Sequence, residues 1–139
     1  MHSSFQTSYQ LHNSAFVLAV LFALQSTASN AEPIGKTTSV KTDAHVNTQM
    51  LAPGSEVNSN DTIRTGNVGV ADLRFKDESN LSVGPTSVVR LNKFVDDPNK
   101  GSGTAVMEVS RGAFRFVTGS QHKGDYKVKT PYGTLGVRG

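Results

Sequence analysis

Through Val68 to Phe75 the chain alternates, with Ala71, Leu73 and Phe75 on one side and Asp72 and Arg74, followed by Lys76, on the other. A period of two marks a strand with one buried face. Thr62-Ile63-Arg64 precedes it and turns at Gly66-Asn67. The polar run Lys76 to Asn80 reverses the chain, Leu81 and Val83 return to the apolar side, and Gly84-Pro85 ends that strand. The same rhythm predicts strands over 86–95 (kinked near Lys93), 104–110, 113–118, 126–130 and 134–137. Weaker strands are expected at Ser39-Val40-Lys41 and over Val46 to Leu51.

Between these segments lie turn residues. Pro53-Gly54, Asn58 to Asp61, Arg111-Gly112 and Pro131-Tyr132-Gly133 are reversals, and Asp96 to Gly103 is the most loop-like run. After Ala31 no stretch sustains an apolar i, i+3, i+4 pattern. The reading is an all-β domain of many short strands: a sandwich, a barrel or a solenoid. Leu73, Phe75, Leu81, Val83, Phe114, Phe116, Val128 and Val137 are the expected core. Gly66, Gly84, Gly112, Gly119, Gly133 and Gly136 are expected at reversals.

The N-terminal segment differs in kind. The first 31 residues hold no Lys, Arg, Asp or Glu, so all 14 basic and 11 acidic residues follow them. Ala15 to Leu24 is an unbroken apolar run, too short for a membrane-spanning helix, which needs about 20 residues. Ser29-Asn30-Ala31 supplies a small-residue site, so residues 1–31 read as a secretory signal cleaved before Glu32. The absence of Lys or Arg ahead of the run departs from the usual pattern; an uncleaved amphipathic or disordered leader is the competing reading. Residues 32–45 are expected to be a flexible polar lead-in, and 46–139 the β domain. Export puts the protein in the periplasm or outside the cell, with no transmembrane span.

The chain has no cysteine, so neither a disulfide nor a thiolate is available. His45 and His122 stand 77 positions apart, in no metal-ligand spacing. Asp96-Asp97-Pro98-Asn99 lacks the register and closing Glu of a calcium loop and reads as a turn. Gly101-Ser102-Gly103-Thr104 precedes a strand, not a helix, so it is no dinucleotide loop. Asp72 and Asp77 are a carboxylate pair only on paper, because nothing sets their separation. No catalytic residue, metal or cofactor is expected, and a glycan-cleaving enzyme is a remote alternative.

Charge adds one candidate surface. The net charge is +3 overall. From Arg111 to Gly139 six basic residues face one acid, Asp125, which makes +5. Arg115, Lys127, Lys129 and Arg138 form the candidate interaction surface for an anionic partner. The plainer reading is a row of solvated charges that keeps strand edges from pairing. Nucleic acid is not expected, because the basic residues are not interleaved with stacking aromatics.

One ordered set of motifs resembles the FecR domain family. It comprises Leu51-x-x-Gly54, Asp61-Thr62-Ile63-Arg64-Thr65-Gly66, Ala71 to Asp77 (ADLRFKD), Leu81 to Ser87 (LSVGPTS), Gly112 to Gly119 (GAFRFVTG) and Lys129 to Gly139 (KTPYGTLGVRG). Each is weak alone; their order and spacing, over about Gly35 to Gly139, carry the resemblance. It implies an extracytoplasmic β domain with a solenoid-like arrangement. The best-known members regulate iron-siderophore uptake through a cytoplasmic segment that holds a sigma factor, followed by a membrane helix. Neither feature is found here, so the chain resembles exported members that lack the anti-sigma segment. In the family the Gly-Val-Arg-Gly motif runs on into further strands, which implies a domain cut short at Gly139. The function expected is a non-enzymatic module for interaction, signalling or scaffolding with an envelope or surface protein. Binding of anionic cell-surface polysaccharide or peptidoglycan is the alternative.

Overall fold

A computed structural model describes residues 32–97, 102–119 and 125–138. The signal-segment expectation, the centre of the loop after Asp97 and His122 lie outside the described residues.

Twelve strands are described: β1 (Gly35–Lys41), β2 (Ala44–Val46), β3 (Gln49–Met50), β4 (Glu56–Val57), β5 (Thr62–Thr65), β6 (Val70–Phe75), β7 (Asn80–Val83), β8 (Val88–Asp97), β9 (Ser102–Arg111), β10 (Phe114–Val117), β11 (Asp125–Thr130) and β12 (Gly133–Arg138). They form two sheets. One runs β10-β7-β6-β1-β4, the other β12-β11-β9-β8-β5-β2-β3. β9 and β11 pair in parallel, whereas the other described pairs are antiparallel. The all-β expectation therefore holds, as two sheets of short strands.

One core joins the sheets. Ala71, Leu73, Phe75, Leu81 and Val83 from the first pack with Ile63, Val89, Leu91, Met107, Val109 and Val128 from the second. Phe75 stacks on Phe94 with ring centroids 5.2 Å apart, and Phe116 tilts against Tyr126 at 5.0 Å. Alternation places these residues inward because successive strand side chains point to opposite faces. Phe114, Phe116 and Val137 are only half-buried. The reason is position: β10 and β12 are the edge strands of their sheets, so their inner faces are covered from one side only.

Within the segment expected as a lead-in, 32–45, the weak strand expected at Ser39-Val40-Lys41 is the end of a longer one. Gly35 to Lys41 is a strand paired on both sides, with β4 and with β6. Its polar sequence hid its start: Gly35 and Thr37 occupy the inward positions, and a register shift between Thr37 and Ser39 breaks the alternation. The strand expected over Val46 to Leu51 is instead a tight hairpin, β2 to β3, with Asn47 at φ 53°. The kink expected near Lys93 is a register shift between Leu91 and Lys93. Gly136 lies within β12 and not at a reversal.

The turns are closed by their own polar side chains. Thr65 Oγ1 donates to the Gly84 carbonyl at 2.6 Å and accepts from the Ser87 amide at 3.0 Å. Ser87 Oγ donates to the Ala113 carbonyl at 3.2 Å and accepts from the Ala113 amide at 3.0 Å. Three reversals are thus tied at one end of the molecule. Gly112 allows this approach, since its φ is 95° and a Cβ there would fall 2.0 Å from Ser87 Oγ.

Candidate functional site

β11 alternates in the folded chain as it does in sequence. Tyr126 and Val128 are buried, and Lys127 and Lys129 are exposed on the outer face. The parallel register sets Lys127 beside Val106 and Lys129 beside Glu108. One strand further, β8 sets Lys93 beside Val106 and Arg90 beside Glu108. Arg90 in turn lies beside Thr62 of β5, two positions before the exposed Arg64. The outer face of the seven-stranded sheet therefore carries Arg64, Arg90, Lys93, Lys127 and Lys129. Strands about 4.8 Å apart put Arg90 and Lys129 roughly 10 Å from each other, and Lys93 and Lys127 likewise. Among the described residues none of these five cations forms an ion pair.

Arg115 does not join them. It lies on β10 opposite Ser82, with Phe114 and Phe116 turned inward, so it faces out from the five-stranded sheet. The fold thus splits the sequence-predicted set: Lys127 and Lys129 share one face, and Arg115 lies on the other. The backbone of Arg138 pairs with Asp125 at the end of β12; its side chain lies outside the described residues. Arg64, Arg90 and Lys93 were missed because only strand register brings them beside β11.

A groove of about 640 Å³ opens at the end of this face. Glu108 and Ser110 of β9, Lys129 of β11 and Tyr132 and Thr134 of the β11–β12 hairpin line it. The hairpin loop is two residues, Pro131-Tyr132, between the paired Thr130 and Gly133. Thr130 Oγ1 donates to the Gly133 carbonyl at 2.9 Å and accepts from the Tyr132 amide at 3.3 Å, so the loop is braced. Tyr132 is 99% exposed. A smaller apolar hollow of about 310 Å³ lies beside β1, walled by Pro33, Phe75 and the stems of Lys36, Arg74 and Lys76.

The carboxylates serve the fold. Asp77 is buried in the β6–β7 turn and accepts from the Ser79 amide at 2.9 Å, the Ser79 hydroxyl at 2.6 Å and the Tyr126 hydroxyl at 2.5 Å. Asp72 faces outward and accepts from Ser39 Oγ at 2.5 Å. That bond, with a second from Ser82, holds its carboxyl below the usual range, against a smaller opposing effect of burial. The two do not share an exposed cleft. His45 Nδ1 lies 3.2 Å from Asp43 Oδ1. Among the described residues no three His, Cys, Asp or Glu side chains gather into one group, and no helix is long and apolar enough to cross a membrane.

Residues 61–139 match the family model described as FecR protein. The match begins at the turn into β5 and leaves out β1 to β4, although β1 lies inside the five-stranded sheet. No curated protein and no solved structure matches the chain.

Proposed function

The chain belongs to the FecR protein family, and from that premise we propose that it is a non-catalytic interaction module of the cell envelope. The observation that carries this reading is where the motif residues go. Thr65, Gly84, Ser87 and Gly112 tie turns together, and Asp77 is buried and saturated with hydrogen bonds. These motif residues thus support the fold, and the outer sheet faces remain for contact. The partner proposed is an envelope or surface protein. Cross-linking of the full-length protein in its host, followed by identification of the adducts, tests this; a chain that cross-links to nothing while folded and present would refute it.

Export belongs to the same proposal. Residues 1–31 act as the signal, and the protein works in the periplasm or at the cell surface. The intact mass of the native protein tests it: an N-terminus at Glu32 supports cleavage, and one at Met1 rejects it. For the architecture, the parallel pairing of β9 with β11 fits a solenoid-like reading, and two mainly antiparallel sheets over one core fit the alternative, a sandwich.

One observation favours a second reading, binding of an anionic cell-surface polysaccharide or peptidoglycan. Lys127 and Lys129 share their face with Arg64, Arg90 and Lys93, so an extended polyanion can meet several charges at once. Retention on an acidic polymer that falls with salt, and is lost in Lys127→Glu/Lys129→Glu, is the expected result. Salt-independent retention would count against it.

A further inference from the structure

We propose that the groove between the end of β9 and the β11–β12 hairpin is a glycan subsite, with Tyr132 as the stacking platform for a sugar ring. The inference rests on the anionic-polysaccharide reading and deepens it. A pyranose presents an apolar face of C–H groups and a rim of hydroxyls, so it needs a flat apolar surface with hydrogen-bonding groups around it. Tyr132 supplies the surface. Its ring is almost wholly exposed, and the two-residue loop that carries it is braced by Pro131 and by both bonds of Thr130 Oγ1. The braced backbone fixes where the ring is presented, and an aromatic with only two side-chain torsions loses little conformational entropy when a ligand covers it.

The rest of the lining fits the hydroxyl rim. Ser110 and Thr134 offer hydroxyls, and Glu108 offers a carboxylate acceptor. Glu108 Oε2 already accepts from Asn92 Nδ2 at 3.2 Å, which sets its direction. Lys129 lies beside Glu108 in the strand register and takes an acidic substituent of the sugar, with Lys127 two residues along the same strand face. The Glu108 carboxylate can accept hydrogen bonds from sugar hydroxyls, which poly-glutamate does not offer. The groove volume falls within the range of about 300–1,000 Å³ typical of small-ligand sites.

The test uses the whole exported chain and affinity electrophoresis through a polyuronate gel, with neutral dextran and poly-glutamate as comparison polymers. The wild type is expected to be retarded by the polyuronate more than by either. Tyr132→Ala should weaken retardation about tenfold, the scale of one lost aromatic contact, while Tyr132→Phe keeps it and Lys129→Gln loses part of it. Tyr132 is exposed, so all three variants should melt with the wild type, which separates lost binding from lost fold. If the wild type is retarded but Tyr132→Ala equals it, the subsite is wrong and the polysaccharide reading survives. Failure of the wild type to bind any acidic polymer ends both. Equal retardation by poly-glutamate with no dependence on the ring overturns the subsite in favour of an acidic protein partner.

Discussion

The Tyr126 hydroxyl donates to the Asp77 carboxylate at 2.5 Å, and both side chains are about 1% exposed. The bond ties β11, in the seven-stranded sheet, to the β6–β7 turn of the other sheet. It belongs to the strong class, because the acceptor is a carboxylate removed from water. Tyr126→Phe should therefore destabilise by about 1.5–3 kcal/mol with strand content intact. Urea denaturation followed by circular dichroism measures it. An unchanged midpoint would mean that water replaces the hydroxyl at no cost.

Two phenylalanines of similar sequence context should behave differently. Phe75 is buried and stacks on Phe94, so Phe75→Ala should cost about 3–5 kcal/mol. Phe114 is half-buried on an edge strand, and its loss should cost about 1–2 kcal/mol on the transfer scale. Chemical denaturation of both variants gives the order directly. Equal costs would mean that β10 is covered in solution.

Two glycines provide a second contrast. Gly112→Ala meets Ser87 and a backbone that side chains avoid, so the loss should reach about 2–4 kcal/mol. At Gly136 an added Cβ has nothing within 4 Å. There alanine should change stability by no more than about 0.5 kcal/mol. Thermal melting separates the two outcomes.

Acid should weaken one surface link. The Asp72 carboxyl is held below its ordinary value by Ser39 and Ser82. A carboxyl depressed in the folded state stabilises fully above its unfolded value, about 3.9, and the gain is lost as pH falls through the folded value. The stability gap between wild type and Asp72→Asn should thus be constant above that value and close below it. The effect is small because the site is open to water. Denaturation midpoints across an acid pH series test the sign. A gap that widens in acid would be the wrong sign.

The placement of Arg115 gives a functional contrast. It projects from the opposite sheet to Lys127 and Lys129. Charge reversal at Lys127 and Lys129 should abolish retention on an acidic polymer, while Arg115→Glu leaves it nearly intact at moderate salt. Matching losses would place the polymer along an edge that spans both faces.

Alternation alone was enough to mark β6 to β12, because a half-buried strand must repeat every two residues and few other structures do. Turn chemistry did the same for the reversals at Gly66, Gly112 and Pro131-Tyr132. Only the end of β1, Ser39 to Lys41, was legible, because its first inward positions are Gly35 and Thr37 and a register shift interrupts it. The surface was only half legible. Local order puts Lys127 and Lys129 on one face, since residues two apart in a strand always share one. Their assembly with Arg64, Arg90 and Lys93, and the separation of Arg115, depended on which strands pair and in which register. Those choices are made by long-range packing of the two sheets over a common core, and no local pattern of residues contains them.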